Sequence, residues 1–128
     1  AASDVYKRQR LGLSDRIAYR FSPEELVPAA GQGILAIQTR AGEYADLLAR
    51  LNSPDGALCA KTERQLASLL GGDCSAPVGC HAQLHGTDMT LYGFSGIGGV
   101  PRYGSVQGNR NDADLLVQQL ASKLTITE

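Results

Sequence analysis

The chain has 128 residues, of which 43% are hydrophobic and 20% are charged, and its formal net charge is -1. A chain of this size can bury one modest core. Its balanced charge provides no basic field for nucleic acid, and no apolar run reaches the roughly 18–20 residues that span a membrane. We therefore expect neither a nucleic-acid nor a membrane partner.

The first part of the chain predicts short elements. Residues 11–17 are typical of a short helix or turn. Ser22 and Pro23 form a plausible helix start, with Ser22 as N-cap and Pro23 at the first helical position, and Pro28 stops that segment.

A Gly-Gln-Gly sequence at 31–33 then opens an apolar run. Residues 34–39 are rich in Ile and Leu, which predicts a buried strand ending at Arg40. A short helix is predicted after it. Four residues share one face of that helix: Tyr44, Leu47, Leu48 and Leu51.

Asn52 marks the best boundary in the sequence. Ser53 can cap the helix that follows, and Pro54 suits its first turn. The helix is predicted to stop at Gly71-Gly72. Its apolar face has a period close to 3.6 and carries Leu58, Thr62, Leu66, Leu69 and Leu70.

The rest of the chain predicts three strands and a final helix. The strands cover residues 78–84, 89–94 and 103–107, with a hairpin turn at 85–88 and the third strand at an edge. Asn111-Asp112 is predicted to cap the helix, which carries Leu116, Leu120 and Leu124. This order predicts an α+β fold, a small antiparallel sheet with helices on one face.

Cys74 follows the predicted helix stop and lies in a Gly-rich loop. Its one adjacent charge, Asp73, would raise the pKa of the thiol, and no local His could activate it. The residues alone favour a plain free cysteine. Cys59 is most simply a core residue, while Cys80 and His81 should point to opposite faces of a strand. The cysteine spacing fits neither a disulfide scaffold nor a zinc site, which favours a reducing compartment and no metal.

Two further side chains are candidates for binding. Gln32 lies between two glycines that permit a close backbone approach, and Arg40 could bind a carboxylate in fork geometry. Taken separately, a tight entry to a strand and a solvated arginine are the simpler interpretations.

Taken together, the motifs indicate more about function than each does separately. In order, they are Pro28-Ala29-Ala30-Gly31-Gln32-Gly33, Arg40, Thr62-Glu63-Arg64 and Gly71-Gly72-Asp73-Cys74-Ser75-Ala76-Pro77. In order and spacing they resemble hydroxymethylbilane synthase (porphobilinogen deaminase). The resemblance runs from about residue 11 to about 124 and is strongest over residues 28–84. Asp73 departs from it, because many members have glycine before the cysteine.

The resemblance implies a three-domain α/β family of which this chain is the C-terminal part. Residues 1–28 would hold an unmatched N-terminal segment and the end of domain two. Residues 29–51 would be the returning stretch of domain one, and residues 52–128 the domain that attaches the cofactor. That cofactor is a dipyrromethane, which a thioether would tether to Cys74. Gln32 and Arg40 would approach the cofactor or the growing chain.

The implied reaction joins four porphobilinogens with loss of ammonia. The partners are then porphobilinogen and the growing polypyrrole chain, and the implied full-length enzyme is a cytoplasmic monomer, or a plastid one in a photosynthetic eukaryote. The family's acid/base aspartate and most of its arginines match no stretch here, so we expect this incomplete chain to be inactive alone. The alternatives from other classes are a non-catalytic α+β interaction module and a thiol-dependent redox protein.

Overall fold

The C-terminal half of the molecule is built on a three-stranded antiparallel sheet. The structure, a computed structural model, describes residues 9–71 and 76–125. The strands β1 (Val78–His85), β2 (Asp88–Ser95) and β3 (Arg102–Asn109) lie in the order β1-β2-β3, so β3 is at an edge as predicted. A two-residue turn joins β1 to β2, and Gly86 supplies its positive φ of 63°.

Two helices cover one face of this sheet. They are α2 (Pro54–Leu69) and α3 (Ala113–Leu124), while a shorter helix, α1 (Ala45–Leu51), precedes them. The buried core between sheet and helices is formed mainly by Leu66, Leu70, Cys80, Ala82, Met89, Leu91, Val106, Leu116, Val117, Leu120 and Leu124. The predicted α+β fold with helices on one face is confirmed.

The ends of α2 follow the predicted signals. The Oγ of Ser53 accepts a hydrogen bond from the backbone N–H of Gly56 at 3.1 Å, and Pro54 occupies the first turn. After the helix, Gly71 adopts a φ of 73°, the left-handed conformation that commonly ends helices. Leu69 was predicted on the apolar face but is 47% exposed.

The start of α3 differs from the predicted cap. Asp112 occupies the N-cap position, but its side chain makes no capping hydrogen bond. Instead, the Oδ1 of Asn109 accepts from the backbone N–H of Asn111 at 2.9 Å, and the short 3-10 turn Arg110–Asp112 leads into the helix. The capping bond therefore comes from the residue that ends β3.

Glycines in β2 and β3 allow α3 to lie close to the sheet. A Cβ atom at Gly93 would lie 2.5 Å from the Cδ1 of Leu124, and one at Gly108 would lie 2.9 Å from the Cδ2 of Leu116. Both leucines are buried in the core, where close packing leaves little room to move. These glycines therefore set the distance between helix and sheet.

The chain before α1 is mostly irregular. A 3-10 turn, Ser14–Arg16, lies within the predicted helix or turn at 11–17. The predicted helix start at Ser22 is wrong: the backbone N–H groups of Glu25 and Leu26 bond to the carbonyl of Ser22 in a single turn. The segment before Pro28 is too short to sustain a helix, because nucleation is costly and proline lacks an N–H.

The predicted buried strand at 34–39 is also wrong. This segment has no regular structure, and Leu35 and Ile37 are 87% and 60% exposed. A strand requires a neighbour that can exchange backbone hydrogen bonds with it. None of the described strands pairs with this segment. The apolar side chains of this segment are therefore not buried against the described strands.

Helix α1 forms close to its predicted position but does not bury its apolar face. Leu47 is 53% exposed and Leu51 is 58% exposed, and Tyr44 precedes the helix with a left-handed φ of 58°. None of the helices in the described part of the chain has both the length and the apolar character needed to cross a bilayer.

The face of the sheet opposite the helices gives a stability prediction. A Cβ atom at Gly79 would lie 2.6 Å from the carbonyl oxygen of Val27, a backbone atom. We expect Gly79→Ala to lower the free energy of unfolding by about 1–3 kcal/mol, the usual cost of overpacking. Urea unfolding followed by circular dichroism measures this change.

A matched glycine-to-alanine change in α2 serves as the control. A Cβ at Gly56 would meet Ser53 at 3.4 Å, an ordinary contact. Gly56→Ala should leave stability unchanged or raise it by up to about 1 kcal/mol, because alanine favours helix. Equal effects of the two variants would show that Val27 does not pack tightly on β1.

Candidate functional site

A buried carboxylate lies at the junction between the N-terminal stretch and the helix–sheet module. Glu63, on α2, is only 2% exposed. Its Oε2 accepts a hydrogen bond from the backbone N–H of Gly31 at 2.7 Å, and its Oε1 accepts one from the backbone N–H of Ala82 at 2.9 Å. One side chain thus joins the Gly-Gln-Gly turn, α2 and β1.

The same junction satisfies the free edge of β1. That strand has a single neighbour in the sheet, so its outward N–H groups need other partners. The N–H of Cys80 donates to the carbonyl of Pro28 at 2.8 Å, and the N–H of Ala82 donates to Glu63. The segment leading to the Gly-Gln-Gly turn therefore lies along the edge of β1.

His81 lies beside this carboxylate. Its Nδ1 is 3.3 Å from the Oε1 of Glu63, although the two atoms do not form a hydrogen bond. Its ring stacks on that of Tyr92 with 6.4 Å between centroids. Cys80 is fully buried on the other face of the strand. The prediction that Cys80 and His81 point to opposite faces is confirmed.

A second contact ties the N-terminal stretch to the sheet. The hydroxyl of Tyr92 donates to the Oε1 of Glu24 at 2.7 Å. This bond lowers the pKa of the Glu24 carboxyl and raises the pKa of the Tyr92 hydroxyl. The hydrogen bond is exposed to solvent, so the contact orients the segment more than it stabilises it.

Gln32 occupies the centre of the anchored turn. The flanking residues Gly31 and Gly33 have φ values of 75° and 90°, conformations that favour glycine. The N–H of Gln32 bonds to the carbonyl of Ala29 at 3.1 Å, and the N–H of Ile34 bonds to that of Gly31 at 3.1 Å. Gln32 is half-buried, so part of its side chain is available to a ligand.

Arg40 lies apart from this junction. Its side chain is 89% exposed, and its guanidinium is 3.9 Å from the carboxylate of Glu43. Within the described residues, no hydrogen bond or ion pair joins Arg40 to Gln32. The structure therefore does not bring these two predicted site residues together, and the strand predicted to end at Arg40 is absent.

The sequence motifs included Glu63 but did not identify its role. The available signal was its position on α2. It lies four residues after Cys59 and three before Leu66, both of which contribute to the core. A carboxylate on the buried face of a helix needs compensating donors, and this requirement marks Glu63 as a candidate anchor.

The structure describes the surroundings of two of the three cysteines. Cys74 and its neighbours at 72–75 lie outside the described residues, between the end of α2 and the start of β1 in sequence. Cys59 packs against the core, as predicted, and burial raises the pKa of its thiol. Burial, with the negative charge of Glu63, raises the pKa of the Cys80 thiol to about 12.

In residues 9–71 and 76–125, no group of three or more His, Cys, Asp or Glu side chains is arranged to hold a metal ion.

The thiol environments predict a pattern of chemical labelling. Since the pKa of Cys80 rises from 9.0 to about 12, its thiolate fraction at pH 8 is about a thousandfold smaller than that of an ordinary thiol. We expect iodoacetamide to leave Cys80 unmodified in the native chain and to modify it in denaturant, as peptide mapping would show. Rapid native labelling of Cys80 would contradict its buried position.

Comparison with known proteins relates this arrangement to one family. Residues 57–125 match the family model described as porphobilinogen deaminase, C-terminal domain. Residues 8–47 match the model described as porphobilinogen deaminase, dipyromethane cofactor binding domain. The two matches cover the module and the stretch that Glu63 joins to it.

Curated relatives agree with these models. The chain is 41% identical over 120 residues to the porphobilinogen deaminase of Thiobacillus denitrificans and 42% identical over 120 residues to that of Chromobacterium violaceum. It is 36% identical over 118 residues to the porphobilinogen deaminase of Ruminiclostridium josui. Each alignment covers 91% of this chain, which spans about 39% of the length of the first two relatives and 40% of the third. The chain belongs to the porphobilinogen deaminase family.

Proposed function

We propose that this chain is the C-terminal part of a hydroxymethylbilane synthase, which condenses four porphobilinogens into hydroxymethylbilane with loss of ammonia. The observation that carries the proposal is the Glu63 junction. It joins the Gly-Gln-Gly turn to the strand that follows the Cys74 segment. The Gly31-Gln32-Gly33 motif thus meets Glu63 of the Thr62-Glu63-Arg64 motif, although the two lie far apart in sequence. The match of both family models to the two joined parts supports the same conclusion.

We propose the same domain organisation as the resemblance implies. Residues 1–28 contain the end of domain two, residues 29–51 return to domain one, and residues 52–128 form the cofactor-attachment domain. The exposure of the apolar segment at 34–39 supports this division, because the surface that covers its side chains would then lie in another part of the longer protein.

Cys74 is proposed as the thioether attachment point of the dipyrromethane. When bound, that group supplies the terminal pyrrole to which substrate rings are added. The environments of the other cysteines support the choice, because Cys80 is fully buried and Cys59 packs against the core. A two-ring adduct at either position would displace core side chains.

The described residues supply binding groups for such a ligand. Gln32 offers an amide with both donors and an acceptor from a turn fixed in position. Arg40 offers an exposed guanidinium that can take the acetate and propionate groups of pyrrole rings. These two side chains are proposed to support binding of the cofactor or the growing chain.

The proton-transfer group is proposed to lie elsewhere in the protein. The reaction needs a carboxylate near the pyrrole nitrogens to stabilise developing positive charge and to move protons. Glu63 does not fit that role, because both of its oxygens accept backbone hydrogen bonds in a buried site. The present chain alone is therefore expected to be inactive.

The proposed reaction also indicates the partners and the compartment of the protein. Porphobilinogen and the growing polypyrrole are the proposed partners, and the full-length protein is proposed to act as a cytoplasmic monomer. Cys59 and Cys80 are free thiols, which supports a reducing compartment.

Cofactor attachment gives a direct test on the full-length protein. We expect intact mass and peptide mapping to find the two-pyrrole adduct on Cys74, and we expect Cys74→Ser to abolish it. Cys59→Ser is the matched control and should retain the adduct. An adduct that survives in Cys74→Ser, or that maps to Cys59 or Cys80, would contradict the assignment.

Arg40 gives a second test in the same protein. Arg40→Leu should lower kcat/KM about tenfold or more, the scale of one lost hydrogen bond to a charged group, without altering the unfolding midpoint. Arg50→Leu, at an exposed arginine on α1, is the matched control and should have no such effect. Steady-state kinetics that are unchanged in Arg40→Leu would show that Arg40 is only a solvated residue.

A further inference from the structure

We propose that Glu63 is a positioning residue, which holds the Gly31-Gln32-Gly33 turn against the free edge of β1 and so determines where the side chain of Gln32 lies. The inference rests on the proposed function, in which Gln32 contacts the cofactor or the growing chain. It assigns Glu63 no contact with substrate, because its carboxylate is buried and fully engaged.

The chemistry of the carboxylate suits this role. Its two oxygens each accept one backbone N–H, from Gly31 on one side and from Ala82 on the other. A glutamine at this position has one acceptor oxygen and an NH2 group that only donates. Because each N–H here meets a different oxygen, a glutamine in the same rotamer would place its NH2 group opposite one of them, and that N–H would lose its acceptor. The bridge between turn and strand requires the glutamate.

The hydrogen bond to Glu63 lies at the end of the contact between the N-terminal stretch and the edge of β1. The carbonyl of Pro28 accepts a hydrogen bond from the N–H of Cys80, and three residues later the N–H of Gly31 donates one to Glu63. Beyond the turn the chain becomes exposed to solvent, and Leu35 is 87% exposed. Among the described residues, no hydrogen bond connects residues 34–38 to the helix–sheet module. Among the described residues, the hydrogen bond to Glu63 is thus the last one that connects the chain to the module before the exposed segment.

Hydrogen exchange on the wild-type chain tests the anchor without any substitution. The amide of Gly31 should be protected and should exchange together with that of Ala82, because both bond to one carboxylate. An unprotected Gly31 amide would overturn the proposal. This measurement remains decisive even if a variant at Glu63 fails to fold.

Substitution separates positioning from general stability. In Glu63→Gln, exchange at Gly31 should accelerate roughly tenfold or more relative to the amides of α3. Thr62→Val is the matched control, since Thr62 is also fully buried on α2 and its hydroxyl donates within the helix, to the carbonyl of Leu58. Its effects should spread over the module without singling out Gly31. A uniform acceleration in Glu63→Gln would show a purely structural role and overturn the proposal.

Kinetics of the intact parent enzyme supply the functional readout. Glu63→Gln should lower kcat roughly tenfold or more, whereas Thr62→Val with a similar unfolding midpoint should retain turnover. Equal turnover in the two variants would overturn the positioning role and leave the proposed function standing. Absence of hydroxymethylbilane from the wild-type parent would instead contradict the proposed function, and with it the catalytic half of this inference.

Discussion

The carboxylate of Glu63 is the interaction on which the arrangement of the described chain depends. A buried charge is costly unless donors compensate it, and two backbone N–H groups do so here. One of them comes from an irregular stretch and the other from the edge of a sheet. This buried group therefore joins the helix–sheet module to an irregular stretch whose Ala30 packs against the apolar core.

The rigidity of the module makes this anchor useful. The leucines of α3 pack directly onto glycines of β2 and β3, and α2 packs against β1, so the sheet has little freedom to shift. A turn that is linked by hydrogen bonds to that sheet is therefore held in a fixed position. Functional side chains on loops are effective when a rigid scaffold presents them, and Gln32, the proposed binding residue, is presented in this way.

The chain contrasts a well-packed module with a stretch that exposes its apolar side chains. Residues 34–39 and helix α1 have the composition of buried elements, yet Leu35, Ile37 and Leu47 are all more than half exposed. Isolated exposed apolar residues are ordinary, but a continuous series of them marks a surface made for contact. The chain spans only about 39% of the length of its first two relatives.

The sequence by itself determined the elements whose signals are local. The serine cap and glycine stop of α2, the hairpin and the α+β order of the module all follow from residues within a few positions of each other. Short-range rules failed where partners were distant: the apolar run at 34–39 has strand composition but no neighbouring strand, and Ser22-Pro23 lacks the length for a helix. The family resemblance predicts Gln32, Arg40 and Cys74 as site residues. Only the tertiary structure decided that Glu63 joins the Gly-Gln-Gly turn to β1 while Arg40 stays apart, because hydrogen bonds between residues 32 and 19 positions apart leave no periodic signal in a sequence.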